Sequence, residues 1–175
     1  MQGRGLRILA AGLLALALGG CVVSERPLFD PLASITPAPA GRYEQQELKS
    51  GRWTKQREGT LKIEGRVYSW KPDNETEPAS FSMFPAGKVL FTVYARIVEP
   101  GKPEHYYALI RKDANGYRIW QPVCSDFSKL ELPRRLQPKV TSSNCFYDDP
   151  KTVTAALIAY ARAKPPSYRY LPLKP

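Results

Sequence analysis

Cys21, Cys124 and Cys145 are the three thiols of this chain, and thiols can be acylated, cross-linked or bound to zinc. Zinc lacks partners here, because His105 is the sole imidazole and the cysteines are spaced far from a Cys-x₂₋₄-Cys knuckle. The same His105 would have to serve any Ser-His or Cys-His mechanism, yet no Gly-x-Ser-x-Gly elbow is present. Following Pro103 and Glu104, it reads as a solvated or structural group at a strand start on the surface. Asp148-Asp149 is the only adjacent carboxylate pair, and Asp149 already suits a helix cap; acid–base work on glycan needs two carboxylates facing one another. Asn74-Glu75-Thr76 has the glycosylation spelling and reads as a chance match in a loop. No catalytic residue, metal ligand or cofactor is assigned. A binding set remains: Arg96, Tyr107, Arg111, Arg118 and Trp120, with Tyr94, all on strand faces expected to point away from the core. Rings on sugars or lipids and guanidinium groups on phosphates would make a patch for an anionic surface; the bland reading is a solvated face.

The leader fixes an address. Arg4 and Arg7 precede an uncharged apolar run, Ile8 to Leu18, too short for a stable bilayer anchor, which describes a secretory signal peptide over residues 1–20. Leu18-Gly19-Gly20-Cys21 resembles the lipobox of bacterial lipoproteins. The resemblance implies that Cys21 becomes the lipidated N-terminus. Two or three acyl chains, at roughly 0.8 kcal/mol per buried CH₂, would then hold the protein on the membrane without any other segment touching it. By the same resemblance Val22, where an aspartate would signal retention in the inner membrane, points to the periplasmic face of the outer membrane. An ordinary leader cleaved elsewhere is the alternative; it would leave an unpaired thiol, and no Ala-x-Ala-like site follows. With Cys21 lipidated in an oxidising compartment, Cys124 and Cys145 are left to pair as a disulfide, worth roughly 3 kcal/mol through loop closure.

Without residues 1–20 the chain has 155 residues, enough for one domain with a real core. Of 26 basic residues only Arg4 and Arg7 leave with the leader, so 24 face 16 acidic ones, a formal +8. A basic envelope protein is drawn to lipopolysaccharide, anionic lipid and acidic cell-wall polymers, with another envelope protein as a further candidate partner, and the compartment excludes nucleic acid. The basic residues are spread rather than clustered, which equally suits a solubilising charge.

These groups must be positioned by something. Residues 22–41 carry Pro27, Pro31, Pro37 and Pro39 and read as a tether without regular structure, although Leu28-Phe29 could dock on the domain. From 42 to 175 short β-rich runs alternate with Gly, Pro and Asn, the spacing of antiparallel architecture. Strands are expected at 42–48, 52–57, 60–64, 66–71, 79–84, 88–97, 105–112, 117–123 and 138–142, with a weak one near 167–171. Along 88–97, Val89, Phe91, Val93, Ala95 and Ile97 share one face at period two, and that face belongs in the core. Asn115-Gly116 predicts a two-residue hairpin turn that sets Asp113 opposite Arg118 and Arg111 opposite Trp120. The other face carries Tyr106, Ala108, Ile110, Tyr117 and Ile119.

One helix is expected over 150–163, with Asp149 as N-cap, Pro150 at the first position, and Val153, Leu157 and Tyr160 on one stripe. The fold class is therefore mainly β: a small antiparallel β-barrel or strongly curved sheet with one C-terminal α-helix. The architecture resembles small outer-membrane lipoproteins of Gram-negative bacteria, which implies an address and no activity. Non-enzymatic binding or scaffolding in the envelope is the leading function. A lipocalin-like carrier of an apolar ligand is the alternative: Gly51-Arg52-Trp53 matches the Gly-x-Trp letters of lipocalins, but the later segments lack their other features. An envelope enzyme inhibitor, resembling the small disulfide-bonded barrel lipoproteins that inhibit host lysozyme, is a third reading; a +8 chain would repel that basic enzyme. An open apolar cavity would favour the carrier and a filled core the scaffold.

Overall fold

The computed structural model describes residues 22–98, 105–127, 129–141 and 143–174. The leader, Cys21 and Glu104 lie outside the described residues. In chain order the elements are β1 (Val22–Ser24), β2 (Gly41–Lys49), β3 (Arg52–Glu64), β4 (Val67–Pro72), β5 (Ala79–Pro85), β6 (Leu90–Arg96), β7 (His105–Asp113), β8 (Gly116–Trp120), α1 (Cys124–Phe127), β9 (Lys139–Thr141), β10 (Asn144–Phe146), α2 (Pro150–Ala163) and β11 (Tyr168–Pro172).

Strands β2 to β8 form an antiparallel meander, and β11 inserts between β8 and β2. The result is a closed eight-stranded barrel, as the strand pattern predicts, and closure removes the unpaired edges that an open sheet would expose. The β-strand expected weakly near 167–171 is thus the stave that completes the ring. Residues 52–57 and 60–64 form one continuous strand across Gly59. A Cβ there would meet the Trp70 ring at 2.8 Å and the Lys71 carbonyl oxygen at 2.6 Å, so glycine makes room for the indole.

Two cores result. Inside the barrel Tyr43, Leu61, Tyr68, Trp70, Met83, Phe91, Ile110 and Tyr117 pack together. Outside it, α2 lays Val153, Ala156, Leu157 and Tyr160 over Tyr107, Leu109 and Trp120 of β7 and β8. Of the face expected over 88–97, Phe91 and Val93 belong to the inner cluster, whereas Val89 precedes β6 and is 43 % exposed, which corrects its core placement. The second face of β6 is not solvated, because Thr92 is buried with its hydroxyl 3.0 Å from that of Thr154 on α2. The helix spans the expected residues. Asp149 caps it by accepting from the Thr152 amide and hydroxyl, both at 2.7 Å, and these bonds hold the Asp149 carboxyl below its ordinary pKa.

The hairpin turn is Ala114-Asn115 rather than Asn115-Gly116: Asp113 pairs with Gly116 and Arg111 with Arg118. This shift by two positions keeps every side chain on its expected face. Gly116 sits at φ +150°, where a Cβ would meet the Tyr170 carbonyl oxygen at 2.2 Å, so the glycine is required by the neighbouring strand β11.

The tether expectation is corrected. Val22–Ser24 is a buried strand, paired antiparallel to the start of β7 and parallel to β10. Leu28 and Phe29 do dock, with the Phe29 ring stacked on Phe84 at 4.6 Å. Pro31–Ala33 is a 3₁₀ turn capped by Asp30, and Ile35 bridges to Met83. Proline blocks long ladders but leaves short bridges and side-chain contacts open, and this segment uses those.

Candidate functional site

A cavity of about 320 Å³ occupies the barrel. Its wall is apolar and aromatic, including Tyr43, Trp70, Phe81, Met83, Ile110 and Tyr170. Ala79, Ala95 and Ala108 are small residues on three of its staves, and their missing volume leaves interior space that larger side chains would fill. The volume lies at the lower end of the range for small-molecule sites.

The two ends differ. At the end where β2 begins, the N-terminal segment covers the barrel. The Tyr68 hydroxyl accepts from the Ala38 amide at 2.8 Å and donates to the Ala38 carbonyl at 2.9 Å. Tyr43 donates to the Pro39 carbonyl at 2.9 Å and Tyr117 to that of Pro37 at 3.2 Å. Burial raises all three phenol pKa values, pushing Tyr43 and Tyr68 up to about 12. At the opposite end the cavity is lined by Glu77, Pro78, Arg96, Ile97 and Gln121, which stand in the β4–β5 turn and at the ends of β6 and β8. Glu77, Pro78 and Arg96 are exposed there, so this end is the mouth.

Between them lies a small group of buried polar atoms. Arg57 is ion-paired with Glu75, and both side chains are largely buried. Gln45 stands opposite Arg57 on one side and Tyr170 on the other. Burial also raises the Tyr170 phenol pKa, while the nearby Arg57 lowers it. Among the described residues, Gln45 Oε1, Trp70 Nε1 and Glu75 Oε2 are buried without a hydrogen-bond partner. Of these three residues Trp70 lines the cavity; it is 2 % exposed, and its ring meets Tyr170 edge-on at 5.2 Å. No three His, Cys, Asp or Glu side chains come together as metal ligands among the described residues.

The residues expected to form an outward patch have other surroundings. Tyr107 and Trp120 are each 4 % exposed, because α2 and the N-terminal segment cover the face that the hairpin presents. The Tyr107 hydroxyl lies 2.9 Å from that of Ser24 and accepts from the Leu28 amide at 3.2 Å, fastening the N-terminal segment. Trp120 donates to the Lys164 carbonyl at the C-cap of α2, at 2.9 Å. Arg111 lies over the Trp120 ring at 5.5 Å and bonds Asp113 at 2.9 Å; Arg118 bonds the same Asp113 at 2.6 Å. Asp113 and Trp120 thus meet both expected partners diagonally across the shifted register. Arg96 stands apart from them at the mouth. His105 does begin β7, but it is 7 % exposed, with Nδ1 2.9 Å from the Tyr94 hydroxyl, which corrects its surface placement. Cys124 and Cys145 form the expected disulfide, which ties α1 to β10. Trp53, of the lipocalin-like letters, lies under the Arg169 guanidinium at 4.8 Å and does not line the cavity.

Half of the cavity wall is legible in the chain. Alternation places Val93, Ala95, Ala108, Ile110 and Ile119 inward, and the two alanines among large neighbours signal space; Trp70, Tyr170 and the capping segment carry no local signal that joins them to that wall. Comparison with protein-family models, curated proteins and solved structures finds no match. The fold and site define a class, a closed antiparallel β-barrel with an interior apolar cavity.

Proposed function

We propose that this protein is a non-enzymatic carrier that holds a small apolar ligand inside its barrel. The observation that supports this is the aromatic cavity, open at one rim and covered at the other. Apolar surface left hydrated in such a cavity is released when a ligand enters, and a preformed wall spares the cost of ordering it. A scaffold has no need of that space. The surface-patch reading is weakened because its two rings, Tyr107 and Trp120, are buried and two of its arginines share Asp113.

The carrier is lipid-anchored through Cys21 on the periplasmic face of the outer membrane. The buried strand β1 begins at Val22, the residue after Cys21, so only one peptide bond separates the proposed lipid-bearing residue from the docked segment. Such placement suits exchange of a ligand with lipid, lipopolysaccharide or another envelope protein. Native mass spectrometry of protein released gently from envelopes tests the carrier. A co-purifying apolar molecule lost on denaturation supports it; an apo mass alone, with no uptake of added amphiphiles, opposes it. Replacing Cys21 by Ala should abolish labelling with a palmitate analogue, and retained labelling would refute the anchor.

A further inference from the structure

We infer that residues 129–140 are a docking strap for an anionic bilayer surface, set beside the point where the lipid anchor leaves the chain. This rests on the anchor at Cys21 and adds which side of the barrel that anchor turns to the membrane. The strap is divided by side-chain chemistry. Leu132 is buried and Leu130 and Leu136 pack against the outer core, so its leucines are spent on the fold. Lys129, Arg134, Arg135 and Lys139 are exposed, with Glu131 the one carboxylate in the same stretch. None of the four cations has an ion-pair partner among the described residues, whereas Arg42, Arg57, Arg111 and Arg118 on the staves each hold a carboxylate. The strap's backbone is fixed as well. Arg134–Leu136 is a 3₁₀ turn, the buried Tyr147 donates its hydroxyl to the Leu136 carbonyl at 3.0 Å, and the Gln137 side chain donates to the Leu132 carbonyl at 3.3 Å. The charges are therefore displayed from an ordered base, and docking them costs little ordering of the chain.

Position ties the strap to the anchor. Its last residues enter β9, the outer edge of the sheet, where the register sets Val140 level with Cys145 and, one strand further, with Val22. Two strand spacings separate Val140 from Val22, about 10 Å. Val140 is itself 58 % exposed, an apolar side chain beside the free cations. An acyl chain on Cys21, the residue before Val22, would enter the bilayer next to this edge. Attraction to anionic headgroups fades within a Debye length, so the cations nearest the anchor count most. The acyl chains supply the hold and the strap supplies the orientation.

The test places the lipidated protein on vesicles of phosphatidylcholine alone and of phosphatidylcholine mixed with phosphatidylglycerol, and reads lysine acetylation by a water-soluble reagent, residue by residue, by mass spectrometry. Lys62 and Lys71, exposed on β3 and β4 across the barrel, serve as internal controls. On the anionic vesicles, labelling of Lys129 and Lys139 is expected to fall at least about threefold relative to these controls and to recover when salt is added. Arg134→Gln combined with Arg135→Gln should lessen the protection of both lysines. Equal labelling on the two vesicles, protection of Lys62 and Lys71 instead, or full protection in the double variant would overturn the inference and leave the anchor intact. Protection by soluble polyglutamate and none by the anionic vesicles would overturn it in favour of an acidic protein partner. Protein that floats with neither vesicle would defeat the anchor and the inference together.

Discussion

The Tyr68 hydroxyl closes a two-way hydrogen-bond pair with the backbone of Ala38, accepting from its amide and donating to its carbonyl. Both residues are fully buried, so the pair makes a proline-rich segment part of the barrel wall. The donor and acceptor of Ala38 have no ladder to join, and one phenol satisfies both.

Tyr68→Phe should therefore destabilise the fold by about 1–3 kcal/mol, since it strands two buried backbone groups. Tyr43→Phe removes one bond, to Pro39, and should cost less. Urea titration of the two variants checks the order; equal midpoints with wild type would contradict the clasp.

Alkaline stability should report the same contacts. Burial pushes Tyr43 and Tyr68 up to about 12 from an ordinary value near 10. A group whose folded pKa is raised contributes stability in full below its unfolded pKa, so no loss from these two is expected up to about pH 10. Between about pH 10 and 12 each should subtract roughly 1.4 kcal/mol per pH unit, and phenolate absorbance should rise together with unfolding. Early titration of both phenols in the native state would contradict it.

Reduction of Cys124–Cys145 should lower stability by about 3 kcal/mol and loosen α1 from β10 first. Mass analysis with a thiol alkylator before and after reduction checks the bond. Two alkylated thiols in protein made in an oxidising compartment and kept free of reductant would contradict it.

Trp120→Ala should cost about 3–5 kcal/mol, as expected for a large aromatic between sheet and helix. Arg118→Ser, at a half-exposed ion pair, should change stability by no more than about 1 kcal/mol. Thermal melts of both distinguish a packed tryptophan from a surface one.

Much of this arrangement is legible in the chain because alternation is a local signal. The inward set of β6, β7 and β8, the cap at Asp149 and the limits of α2 each follow from a few adjacent residues. What the chain does not display locally is what covers an outward face. Tyr107 and Trp120 alternate with core residues and so read as exposed, yet α2, more than thirty residues downstream in sequence, buries them. The tether misleads for the same reason: prolines report the local backbone, while the contacts of Val22, Phe29 and Ala38 come from strands far along the chain. Trp70 and its unpartnered N–H become visible only when the barrel closes.

Ligands should enter the barrel rather than adhere to its surface. Ala108→Phe places a ring in the cavity wall opposite Val93, on a stave whose outer face is untouched. Titration of wild type and variant with N-phenylnaphthylamine measures the difference directly. Wild type should bind saturably at one to one, and binding should be lost or weakened at least about tenfold in Ala108→Phe, with the fold retained in far-ultraviolet circular dichroism. Equal binding by the two folded proteins would contradict it.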